Sequence, residues 1–276
     1  MDRSDALEPP MKILPSRWQA LLLDSLALVI TIYGMANVMP AIGSFRLGPF
    51  PMEFFRATFF ALCVVVVGLG MGMPKMSGKP PSLALNTASA VAVLVLLWAS
   101  WSFYAVGIEM ADNIFLFGPM ESTIALAASA AVLFFCWNIW GGAVALLGAL
   151  GVIYLIAGPY LPGPLKTVAG DVNELLAQNL WYNLDSGILG GTFSIVITTV
   201  FPFIVLGAVL EGVGAGDSMI RIAFSLMKKT AGGPAHAAVL ASGLFGTVSG
   251  SAVANVVGTG VVTIPMIKKR GFSKDF

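Results

Sequence analysis

The sequence predicts an all-α polytopic membrane protein with about six transmembrane helices, a cytoplasmic surface helix and a re-entrant helical hairpin. Three observations carry that class. Apolar residues make up 57% of the chain and charged residues 11%, and the mean hydropathy is +0.88, well outside the composition of soluble domains. The apolar residues come in runs long enough to cross a hydrocarbon core, which takes about 20 helical residues. In the stretch Gly232 to Arg270, GGPAHAAVLASGLFGTVSGSAVANVVGTGVVTIPMIKKR, an apolar sequence is broken by Gly, Ser, Thr and Asn where a plain span would carry Leu and Val.

In chain order, residues 1–17 form a polar tail of mixed charge, without the cleavage site of a signal peptide. The first span is expected at Trp18–Pro40, with Asp24 inside it, and the second at Phe50–Met73, where Glu53 and Arg56 stand one turn apart and can pair. Asp24 and Arg56 are also candidates for a pair inside the membrane. Lys75 and Lys79 mark the next loop as cytoplasmic. A third span, Leu83–Val106, carries Trp98, Trp101 and Tyr104 as an aromatic belt, and the acidic loop with Glu109 and Asp112 faces outward.

Ser122–Trp140 and Gly141–Gly158 form two short spans joined by a tight turn. After Pro159 comes a long extracytoplasmic stretch, with an interfacial helix expected near Val172–Trp181. The sixth span, Thr192–Leu210, contains Pro202 as a kink. Asp217–Thr230 has Ile220, Ala223, Phe224 and Met227 on one face, the pattern of a helix on the cytoplasmic surface, with Asp217 as N-cap.

Thirty-eight residues between Lys229 and Lys268 contain no Asp, Glu, Lys or Arg. Basic clusters close both ends, Lys228-Lys229 and Lys268-Lys269-Arg270, so both ends belong on the cytoplasmic side. The segment 232–270 therefore reads as a hairpin that enters and leaves by one face. Irregular backbone at membrane depth needs protein or a water-filled cavity for its hydrogen bonds. The run Gly246–Ser251, with Thr247, Ser249, Gly250 and Ser251, and then Asn255 and Thr259, would supply carbonyls, hydroxyls and an amide there. Two readings stay open on the residues alone. One is a site for a small cation and an anionic substrate; the other is a close helix contact made by small residues.

The pattern GGxAHxxVLASxLFGxxSGSAVAxV followed by IPxxKKRGF resembles the first hairpin of the large permease subunit of TRAP transporters (tripartite ATP-independent periplasmic transporters). The likeness extends upstream through Leu176-Ala177-Gln178, Leu184-Asp185-Ser186 and the run Val209–Asp217. The LEGVGAGD run and Asn255, where many relatives have Asp, are most similar to the fused permeases of the TAXI branch. The resemblance implies a permease in the bacterial inner membrane with a cytoplasmic N-terminus. It implies sodium as the coupling ion, organic carboxylates as substrates and a periplasmic substrate-binding protein as partner, with Ser249, Gly250 and Asn255 holding sodium. It divides the chain into a tail (1–17), a small-subunit-like membrane region (18–114) and the N-terminal part of a large permease domain (115–276). Only one hairpin is present where such permeases carry two, so a remainder of the permease is an expected partner beside the lipid bilayer.

Several classes are disfavoured. Net charge of +1 leaves no nucleic-acid footprint. No GxxxxGK[ST] motif, nucleophile triad, paired carboxylates or metal-ligand cluster is visible, so neither an ATP-driven pump nor an enzyme is expected. Cys63 and Cys136 sit in apolar spans and read as free thiols. His236, the one histidine, reads as a helix-start or interfacial residue. The rival readings are a non-transporting helical scaffold or interaction subunit, and a channel working without a binding protein.

The charge pattern makes a topological prediction. Cysteines placed at Ser77 and Asn113 should differ toward an impermeant maleimide applied outside, with only the Asn113 position labelled. Equal labelling of the two overturns the orientation.

Overall fold

The computed structural model describes residues 17–41, 47–71, 82–167, 170–227 and 232–247, with residues 256, 259, 260, 263 and 264. Every regular element among them is helical. They are α1 (Arg17–Val38), α2 (Met52–Met71), α3 (Leu83–Asp112), α4 (Pro119–Ile139), α5 (Gly142–Ala157), α6 (Val172–Ala177), α7 (Gly191–Ile195), α8 (Phe201–Gly212), α9 (Ala215–Met227) and α10 (Gly233–Gly246). Six stretches are long and apolar enough to cross a membrane, the last running from Gly191 to Leu210. All six coincide with the expected spans. The largest difference is α3, which continues to Asp112 because Gly107 is absorbed into the helix and Ile108 and Met110 extend its apolar run.

The helix starts follow local chemistry. Ser82 caps α3 by accepting from the Leu85 amide at 3.2 Å. At α4, Pro119 occupies the first helical position, where its missing N–H costs nothing, and Glu121 Oε2 accepts from the Gly118 amide at 2.9 Å. Asp171 starts α6 by accepting from the Asn173 amide at 2.7 Å. The chain divides into two compact units, Met1–Ile197 and Thr198–Phe276.

In the first unit, α3 is the central helix. Ala92 and Ala99 on α3, with Ala125, Ala128 and Ala131 on α4, are buried in one cluster, small side chains that let backbones approach within a membrane. Gly68 does the same for α2, where a Cβ would collide with Val93 of α3. The segment expected to lie at the interface instead enters this core. Beyond Ala177 the helix widens into a π-helical turn, Gln178–Tyr182, and Trp181 is fully buried. Its indole donates to the Ala99 carbonyl at 2.9 Å, and its ring meets Phe60 of α2 edge-on at 5.7 Å. The Tyr182 hydroxyl pairs with Ser102 at 2.7 Å. The expectation fails because an amphipathic sequence does not say whether its apolar side meets lipid or protein.

Arg56 is the second correction. Among the described residues it makes no ion pair with Asp24, while Glu53, one turn back, and Asp185 each add a favourable charge interaction. Its guanidinium is buried under the loop 183–191, where Nη1 donates to the carbonyls of Leu184 at 2.8 Å and Leu189 at 3.2 Å. The loop is shaped to present them: Asn183 Oδ1 accepts from the amides of Asp185 and Ser186, and the Gly191 amide donates to the Asp185 carbonyl. Pro202 lies in the sixth span as expected, and the turn before it, Val196–Val200, is π-helical, a common accommodation where a helix loses a donor.

A Cβ at Gly187 would stand 2.7 Å from the Trp181 carbonyl and 2.8 Å from that of Asn183, both backbone atoms that cannot yield. At Gly151, in α5, it would meet nothing within 4 Å. Gly187→Ala should therefore lower the melting temperature of the purified protein in detergent while Gly151→Ala leaves it unchanged or raises it slightly. Equal melting of both variants would contradict the packing of this loop.

Candidate functional site

The hairpin chemistry falls in the second unit. Before it, α9 begins at Ala215, after Gly214 with φ +79°, so Asp217 lies in the first turn and not at the N-cap. The face of α9 expected to be apolar is the one it buries: Ile220 and Ala223 pack with Ala241 of α10, and Phe224, Leu240 and Leu244 close around them. Phe245 lies over Gly216, where any Cβ would strike its ring. Small residues on both helices make this contact possible.

A left-handed Gly232 (φ +76°) turns the chain into α10, and Pro234 sits in the first turn. The Ala235 and His236 amides both donate to the Gly232 carbonyl, and His236 is exposed at the helix start. The helix ends at Gly246. Thr247 closes it, its amide and its Oγ1 both donating to the Leu244 carbonyl, at 3.2 and 2.7 Å.

Along α10, on the side away from Ala237 and Ala241, runs an open groove of about 620 Å³. Ala238, Val239 and Ser242 line it, followed by Gly243 and Gly246 near the helix end. Thr259 and Thr263 form its other wall. Both threonines are buried, and Thr263 Oγ1 donates to the Thr259 carbonyl at 2.8 Å.

Of the residues singled out from the sequence, Thr247 stands exposed at the end of α10 and Thr259 lines the groove. Ser249, Gly250, Ser251 and Asn255 lie outside the described residues. The structure adds Ser242 and Thr263, which sequence reasoning missed. The available signals were the four-residue spacing of Thr259 and Thr263 and the three-residue spacing of Gly243 and Gly246, each placing two small groups on one helical face.

The chemistry available is that of neutral oxygens. Among the described residues no group of three His, Cys, Asp or Glu could hold a metal ion. What lines the groove is hydroxyls and the C-terminal end of α10, where the last carbonyls of a helix lack helical partners and carry the negative end of its dipole. Such a set lacks the thiolate, imidazole and carboxylate ligands of a transition-metal site.

Six membrane-length helices followed by a short helix beside a polar, small-residue groove define a multi-pass membrane protein. The family model for the tripartite ATP-independent periplasmic transporter, DctM component, matches residues 62–276, and the chain belongs to that family. It is similar to the Uncharacterized protein y4mL of Sinorhizobium fredii, 43% identical over 72 residues, which cover 26% of this chain and 17% of that protein. It is also similar to the Uncharacterized protein YgiK of Salmonella typhimurium, 37% identical over 76 residues (27% and 18%). A third relative is the C4-dicarboxylate TRAP transporter large permease protein DctM of Rhodobacter capsulatus, 39% identical over 74 residues (27% and 17%). The chain thus spans less than a fifth of the length of these curated relatives. No solved structure matches it.

The groove makes a direct prediction on a background lacking Cys63 and Cys136. A cysteine at Gly243 should react readily with N-ethylmaleimide in the purified protein, because nothing stands within 4 Å of a Cβ there. One at Ala241, fully buried against α9, should resist. Equal rates would show that α10 has no open side.

Proposed function

We propose that the chain is the membrane permease component of a sodium-driven secondary transporter for organic carboxylates delivered by a periplasmic substrate-binding protein. The observation that carries this reading is the groove along α10, where a helix C-terminus meets buried threonines and glycine-lined space. Membership in the DctM family supports the transport class. In this reading Ser249, Gly250 and Asn255 hold sodium through hydroxyl, carbonyl and amide oxygens. Thr247, Ser251 and Thr259 complete the ion and substrate set. A substrate carboxylate would be received by free backbone amides, as helix starts receive anions.

The wider assignment follows the same reading. The protein sits in the bacterial inner membrane with the tail 1–17 in the cytoplasm and belongs to the TAXI branch. Residues 18–114 serve as a small-subunit-like region and 115–276 as the N-terminal part of the large permease domain, with the hairpin at 232–270. An inverted counterpart bearing a second hairpin closes the site from the other side, the arrangement by which such transporters alternate access.

Packing alone is the competing reading, and the close contact of Gly216 with Phe245 favours it for one face of α10. The two separate in uptake measured against sodium and normalised to folded protein, in the assembled permease. Short polar groups held out of water without partners cost on the order of 1–3 kcal/mol each, and a bound sodium would relieve that cost. Ser249→Ala and Asn255→Ala should therefore raise the sodium concentration for half-maximal uptake with little loss of folded protein. Gly250→Val should abolish uptake. Unaltered sodium dependence in both alanine variants removes these residues as ligands.

A further inference from the structure

The first unit contains a second cavity that the transport reading does not use. It is a groove of about 180 Å³, almost wholly apolar, between α2 and α4. Phe60, Cys63 and Val67 form one wall; Val132, Cys136 and Trp140 form the other. Leu96 of α3, 1% exposed, is the floor. Both thiols are free and half-buried.

The groove is one half of a longer cleft. Helices α2 and α4 flank α3, and toward the loop 183–191 the space between them is filled by the protein's own chain. Trp181 occupies it, bonded to the Ala99 carbonyl of α3 and set against Phe60. Phe193 also meets Phe60 edge-on, at 5.7 Å. Phe60 thus belongs to both parts: it packs on Trp181 and Phe193 and also lines the open groove. One helical turn along α3, from Ala99 to Leu96, carries the cleft from protein-filled to open.

At the open end, α4 finishes in Trp137, Asn138 and Trp140, and both indoles are exposed. Exposed tryptophans beside a polar amide mark the headgroup level of a bilayer. From Trp140 back to Val132 the groove rises about 12 Å at 1.5 Å per residue, into the hydrocarbon region. Among the described residues its walls offer no charge, and their side-chain donors are two thiols and the Trp140 indole at the headgroup end. A helix, about 10–12 Å across with its side chains, does not enter a slot of this volume. A single flexible hydrocarbon chain does, and hydrocarbon chains are the medium around it.

We propose that this groove is a phospholipid site. One acyl chain lies between α2 and α4, over Leu96 and under Phe60, with its headgroup at the level of Trp137 and Trp140. It fills the half of the cleft that Trp181 leaves open.

The test uses the purified full chain reconstituted in phosphatidylethanolamine–phosphatidylglycerol vesicles. These are doped with a phosphatidylcholine bearing a diazirine midway along one acyl chain. After irradiation, lipid adducts should concentrate on residues 60–67 and 132–140, several-fold above the exposed apolar face of α5 at Leu146, Leu147 and Leu150. Val132→Trp, which fills the groove, should remove the excess, and Leu147→Trp should not. Should Val132→Trp fail to fold, Cys136→Ala serves instead. It enlarges the groove and should keep the adducts, while in the unmodified chain added phospholipid should slow maleimide attack on Cys136 in detergent. Even labelling of α2, α4 and α5 would mean ordinary boundary lipid and overturn the proposal. Adducts missing from the groove, or Cys136 insensitive to added lipid, would overturn it equally.

Discussion

A guanidinium inside an apolar bundle is the constraint on which the first unit depends. Arg56 stands on the first turns of α2 with its side chain buried, and placing such a charge in a membrane costs a few kcal/mol even on the most lenient scales. Glu53 and Asp185 lend it favourable charge. Direct hydrogen-bond relief comes from backbone: the carbonyls of Leu184 and Leu189, more than a hundred residues away in sequence, accept from one nitrogen. Nε has no partner, so the clamp is incomplete and holds only while the loop keeps its shape. That shape needs the Asn183 side chain as an internal acceptor, and it needs glycine at 187 and 190, where a Cβ would press on backbone atoms. A connection between two spans thereby becomes part of the core.

The spans were legible because hydropathy and length are direct consequences of the bilayer, and the free state of Cys63 and Cys136 followed from their placement in those runs. The Arg56 clamp was not legible, for a physical reason. Its acceptors are main-chain carbonyls, which every residue has, so nothing in the letters Leu184 and Leu189 marks them. The burial of Trp181 was hidden similarly. Asn173, Glu174, Gln178 and Asn179 give its segment a polar side, and the sequence could not tell whether the other side would meet lipid or α3 and α4. Helix α3 runs past the expected end at Val106 because the helix-weakening tendency of Gly107 is small beside the hydrophobic drive of its neighbours.

The candidate site was legible in part. Thr259 was chosen for its hydroxyl and does line the groove, whereas Ser242 and Thr263 were passed over because single hydroxyls in apolar helices are common and usually bond their own backbone. Thr247 shows that habit, donating to Leu244 within its own helix end. Thr263 does the same toward Thr259, yet remains buried on the wall of a cavity. The placement of the hydroxyl, more than its presence, decides what it can serve.

The two interpretations of the small residues, packing and binding, need not compete for the same atoms. On α10 they occupy different faces. Ala237, Ala241 and Phe245 recur every four residues and are buried; Ala241 packs with Ala223 of α9 and Phe245 lies over Gly216. Val239, Ser242, Gly243 and Gly246 fall on the other side and leave it open. A helix with Leu at those positions would fill its own groove, and one with Leu at Ala241 could not approach α9. Small residues on both faces let one short helix be fixed on one side and accessible on the other, and a binding helix in a membrane requires both.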